Sequence, residues 1–149
     1  MPRELALAVP FPLAVEPVGV GNDLPPHVTV LIPAPDDVRR IGEALAPFTA
    51  FQVTFSRFGR FPNGLWLAPE PAQPFVVMTE ALMRSFPGYL PYGGAFAGIV
   101  PHLTVAQSRL DETEALIAPL LPVASRAERV VLYERADGDH WRDVHAFEL

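Results

Sequence analysis

The sequence predicts an α+β fold with a duplicated, two-lobed plan: two antiparallel sheets facing a central cleft, with helices on the outside. Two observations carry this. Sliding the 149-residue chain against itself by 75 positions aligns Pro26, His27, Thr29 and Val30 with Pro101, His102, Thr104 and Val105. The match continues without a gap through Asp36, Leu45, Pro47, Arg60 and Trp66 onto Asp111, Leu120, Pro122, Arg135 and Trp141, which makes nine identities in the 41 positions from 26 to 66. Self-similarity at a fixed offset is the signature of an internal repeat, so one domain over 1–149 with repeats at about 26–71 and 101–146 is expected. The second observation is that each segment reads strand, helix, strand pair.

The elements follow in order. "ELALAVPFP" alternates enough for a strand, and "HVTVLIP" is short, β-branched and closed by proline. Asp36 is then the expected N-cap of a helix with Val38, Ile41 and Leu45 on one face, stopped at Pro47. "FQVTFSRFG" and "GLWLA" form a hairpin around "RFPNG", whose Asn and Gly suit a turn. Phe75, Met78, Leu82 and Phe86 recur at helical spacing over 74–86 until Pro87 ends the helix. "HLTVAQ" repeats the earlier strand, and Asp111 opens an acidic first turn, where the helix dipole favours it, with Pro119 shortening the end. "RVVLYER" and "HWRDVHAFEL" close the chain as a second hairpin around "ADGD".

Composition excludes several chemistries. There is no cysteine, so disulfides, thiolate zinc sites and cysteine nucleophiles are absent. All eleven basic residues are arginine, which rules out a Walker-type phosphate loop, a Schiff base and a lysine adenylate. A net charge of −6 argues against a grip on long nucleic acid, because such affinity comes from releasing counterions at a basic face. The longest apolar runs are too short to span a membrane and no secretory leader opens the sequence, so a soluble, cytoplasmic monomer is expected.

The paired phrases carry the chemistry. Side chains alternate along a strand, so His27 and Thr29 share one face, as do His102 and Thr104. Facing one another across a cleft, two imidazoles and two hydroxyls suit a phosphate: the hydroxyls donate to non-bridging oxygens, and the imidazoles act as general base and general acid on the two apical oxygens. Histidine titrates near neutrality, so either ring serves either task, and the two should titrate as a coupled unit.

This pair of His-x-Thr phrases, half a small chain apart, resembles the two-histidine (2H) phosphoesterase superfamily, and within it the 2'-5' RNA ligase or RNA 2',3'-cyclic phosphodiesterase branch. "FPGYLPYGGAF" leading into "VPHLTVA" resembles the segment before the second motif there. The resemblance implies catalytic His27 and His102, phosphate ligands Thr29 and Thr104, and no metal or other cofactor. It implies action on a 2',3'-cyclic or 2'-5' linked phosphodiester of a small nucleotide or RNA end, whose reversal would join 2',5' ends without ATP. The competing reading is a non-catalytic nucleotide- or RNA-end-binding module on the same fold.

Other residues rank lower. Tyr92 and Phe96, in a Gly-rich aromatic loop before the second motif, are candidate substrate contacts. Trp66 and Trp141 read as core. Arg57, Arg60, Arg135 and Arg142 suit a terminal phosphate but read as solvent-facing. His140 and His145 lack a metal-binding pattern and read as surface or packing residues.

Overall fold

The computed structural model describes residues 3–13, 24–94, 98–136 and 140–149. Eight strands, β1 (Arg3–Pro10), β2 (His27–Leu31), β3 (Phe51–Phe61), β4 (Gly64–Glu70), β5 (Leu103–Ala106), β6 (Val123–Ala127), β7 (Arg129–Ala136) and β8 (Arg142–Glu148), alternate with helices α1 (Val38–Leu45), α2 (Gln73–Ser85) and α3 (Leu110–Ile117). The strands pair in the order β6-β3-β4-β5-β2-β1-β7-β8, antiparallel at every junction. This corrects the expectation of two facing sheets. A single pair, Val28 with Leu103, joins β2 to β5 and makes one continuous sheet. Both side chains are fully buried, so the seam is held from the core side.

The strands of the two sequence-similar segments are interleaved. Strand β2 belongs to the first segment but lies on the side of β1, β7 and β8, whereas β5 belongs to the second and lies beside β4 of the first. Strand β6 has no counterpart in the elements expected from sequence: in "VASRA" only Val123 is β-branched or apolar and larger than alanine, and the strand forms by pairing with the long β3 edge from Phe51 to Phe55.

One face of the sheet carries the core. Leu5, Leu7, Val9, Val28, Val30, Leu65, Leu67, Leu103, Val105, Val130 and Leu132 meet Ile41 and Leu45 of α1, Phe75, Met78 and Leu82 of α2, and Ile117 of α3 in one cluster. Phe11, Phe51, Phe55 and Phe75 interlock edge to face at its centre. The N-cap of α1 is Asp37, whose carboxylate accepts from the Arg40 N–H; Asp36, the residue expected there, pairs instead with Arg3. Helix α3 starts one residue before Asp111, and Pro119 lies in a single 3₁₀ turn that ends it.

Candidate active site

The opposite face of the sheet carries the histidine phrases. Because β2 and β5 run antiparallel through the Val28–Leu103 pair, Thr29 comes opposite His102, and Thr104 opposite His27. The four side chains therefore make an alternating square, with the imidazoles on one diagonal and the hydroxyls on the other. All four residues are partly buried.

Each imidazole is held in the same way. The Nδ1–H of His27 donates to the Pro25 carbonyl at 2.8 Å, and that of His102 donates to the Val100 carbonyl at 2.7 Å. A carbonyl only accepts, so Nδ1 carries the hydrogen in both rings and the acting nitrogen of the neutral form is Nε2. Burial pushes both imidazoles below their ordinary pKa, and the nearby charge of His102 lowers His27 further.

Tyr92 closes one side. Its ring stacks on His102 with centroids 6.3 Å apart, and its hydroxyl hydrogen-bonds Thr29. Burial raises its phenol pKa, so the hydroxyl keeps its proton. This placement requires the left-handed backbone at Tyr92 (φ 53°, ψ 34°), followed by the same region at Gly93 and Gly94. A tyrosine held there costs on the order of 1–3 kcal/mol, a strain that concentrates at functional sites. Its backbone N–H donates to the Ile32 carbonyl at the end of β2, which ties the turn to the first phrase. Phe96 lies outside the described residues.

The other wall of His102 was missed in the sequence. The Phe61 ring meets His102 edge to face at 5.0 Å, and the Trp66 indole lies 5.8 Å away. Trp66 is thus at the site, contrary to the core placement expected for it. Its indole lies across Gly59, its cross-strand partner, where a Cβ would come within 2.3 Å of the ring. The facing Gly-Trp pair across the hairpin was the available sequence signal. Trp66 Nε1 is buried with no acceptor among the described residues.

A cavity of about 440 Å³ opens beside this half of the square. Thr29, His102, Thr104 and Tyr92 border it, Asn63, Gly64 and Gln107 flank it, and Val30, Phe75 and Thr79 floor it where β2 and β5 diverge. The Thr79 hydroxyl lies 2.7 Å from the Val30 carbonyl and donates to it, which ties α2 to β2.

The arginines do not reach the square. Arg57 pairs with Glu70, Arg60 with Asp111 and Glu114, Arg135 with Glu4 and Arg142 with Glu134. His140 is exposed, and the His145 ring packs on Phe147 at the far edge of the sheet. No helix among the described residues is long and apolar enough to cross a membrane, and these residues hold no cluster of three metal-ligating side chains.

The fold is that of known crystal structures. E. coli LigT complexed with NADP+ superposes with a TM-score of 0.62 at 16% identity, covering 100% of this chain and 99% of that one. LigT complexed with 3'-AMP gives the same TM-score and identity over 100% and 99%. A crystal structure of a phosphoesterase matches with a TM-score of 0.62 at 18% identity over 99% of both chains. No curated protein matches the sequence. The sequence profile of the 2'-5' RNA ligase superfamily matches residues 16–139. With that profile spanning most of the chain and both phrases converging on one face, this protein belongs to the 2'-5' RNA ligase superfamily.

Proposed function

We propose that the protein is a metal-independent phosphodiesterase acting on a 2',3'-cyclic or 2'-5' linked phosphate of a small nucleotide or RNA end. His27 and His102 form the acid/base pair and Thr29 and Thr104 bind the phosphate. The observation that carries this reading is the alternating square with both Nδ1 atoms tied to carbonyls, which presents two equivalent Nε2 atoms on one diagonal. A phosphorus centred there has an imidazole at each apical position, one taking a proton from the attacking water while the other gives one to the leaving oxygen. The P–O bond to the leaving oxygen breaks as the bond to water forms, and opening a 2',3'-cyclic phosphate leaves a 2'-phosphate and a free 3'-hydroxyl. With a 5'-hydroxyl in place of water as the nucleophile, the same in-line opening of a 2',3'-cyclic phosphate forms the bond from phosphorus to the 5'-oxygen, breaks the bond to the 3'-oxygen and gives a 2'-5' linkage with a free 3'-hydroxyl. LigT structures with ATP, NADP+ and 3'-AMP bound support a small nucleotide as the ligand class.

The test is incubation of wild-type and His27→Ala/His102→Ala protein with the four nucleoside 2',3'-cyclic monophosphates in EDTA, with products followed by phosphorus NMR. A 2'-phosphate formed by wild type alone is expected. Ligand binding without turnover, in wild type as in the double variant, would favour the binding-module reading instead.

A further inference from the structure

We propose that the cavity beside His102 is a subsite for a single uncharged nucleoside, whose base is read by the side-chain amides of Asn63 and Gln107. This rests on the phosphate lying within the histidine-threonine square.

The lining has no charge to match a second phosphate. Among its described residues, His102 and Tyr92 are the titratable ones, and no arginine or carboxylate contributes. The arginines on neighbouring strands are engaged by Glu70, Asp111, Glu114 and Glu4. A diphosphate inside the cavity would lose water without gaining a cation, which is unfavourable. A nucleoside fits better: the volume lies in the range that holds one drug-sized ligand, and such sites pair apolar walls with a few orienting polar groups. Phe61 offers a ring for a base to stack on, next to His102.

Asn63 and Gln107 supply the orienting groups. Asn63 lies in the turn between β3 and β4, and Gln107 directly follows β5, so the Leu65–Ala106 pairing brings them to the same end of the sheet. Both side chains are exposed, and neither amide is taken up by another described residue. An amide offers a donor and an acceptor side by side, which matches the donor-acceptor edge of a base. Between them, Gly64 keeps the wall open. The nearest atom to a Cβ built there is 3.9 Å away, so a side chain at this position enters the cavity without clashing with the protein.

The experiment is calorimetric binding of inorganic phosphate and of the four nucleoside 2'-monophosphates to wild type, Asn63→Ala, Gln107→Ala and Gly64→Val, with melting temperature as the control for folding. Wild type should bind the nucleotides more tightly than phosphate and discriminate among bases. Each amide substitution should compress that discrimination by about three- to tenfold, the worth of one net hydrogen bond, while leaving phosphate binding unchanged. Gly64→Val should weaken all four nucleotides alike. Nucleotides binding no more tightly than phosphate, or base ratios unaltered in both amide variants, would overturn the proposal. Because binding needs no turnover, base-selective affinity without cyclic phosphate opening would refute the catalytic reading and leave this one standing, and turnover without base selectivity would do the reverse.

Discussion

His27 and His102 open the same phrase and are tethered identically, yet their surroundings differ. His102 is walled by Phe61, Trp66 and Tyr92, whereas none of these rings packs on His27. The cause is the strand next to each phrase. Thr104 of β5 pairs with Trp66 of β4, while Thr29 of β2 pairs with Ala8 of β1. Strand β1 lies outside the sequence likeness. The partner of Trp66 in that likeness, Trp141, immediately precedes β8, where Arg135 stacks on it and it helps cover a small cluster of Ala8, Val131 and Tyr133. Burial there and the Asp143 charge push the Tyr133 phenol up to about 12. The site thus combines a near-symmetric set of imidazoles and hydroxyls with one-sided walls around it. Symmetric groups suit proton transfer at both apical oxygens, and an asymmetric wall suits a substrate whose two sides differ.

Substitution of the histidines tests the symmetric part. His27→Ala and His102→Ala should each lower kcat for cyclic phosphate opening by about 10²–10⁴-fold, the usual worth of a positioned acid or base. Loss in one variant only would mean that a single imidazole carries the chemistry.

The hydroxyls come next. Thr29→Val and Thr104→Val should each cost about 10²–10³-fold, as for one preorganised donor to a transition-state oxyanion. Tyr92→Phe disturbs only the Thr29 side and should cost about two- to tenfold, the net value of one hydrogen bond. An equal loss from Thr29→Val when made in the Tyr92→Phe background would show the two hydroxyls to be uncoupled.

The aromatic wall is tested through pH. Both imidazoles lie below the ordinary 6.5, so the maximum of kcat/KM, which reports the free enzyme, should fall on the acidic side of that value. Replacing Trp66 with Leu admits water to His102 and relieves its desolvation, so one limb of the profile should move upward. Ala8→Gly, beside Thr29, should leave both limbs in place. A profile unchanged by Trp66→Leu would remove the indole from the control of His102.

The smallest effect is on stability. A folded-state pKa below the unfolded value makes the unfolded chain bind protons first, so the contribution is full above about pH 6.5 and is lost as pH falls through the depressed folded values. The melting temperature should therefore fall between about pH 7.5 and about pH 5, and the His27→Ala/His102→Ala protein should show a shallower fall. Parallel curves would assign the acid sensitivity to other groups.

The sequence alone specified the two phrases, the face that each presents and most of the helices and strands. Those features are local: alternation places His27 with Thr29, helical spacing places Phe75 with Met78 and Leu82, and proline ends each run. It did not specify that β2 and β5 pair, that β6 joins the β3 edge, or that Trp66 and Phe61 meet His102. Strand order depends on which edges are free once the core has formed, and no local pattern encodes it. The Val28–Leu103 pair decided that one sheet forms, and the neighbours of that pair decided which histidine gained a wall and a cavity. Residue types and spacing thus determined the chemistry available, and long-range strand pairing determined where a substrate can enter.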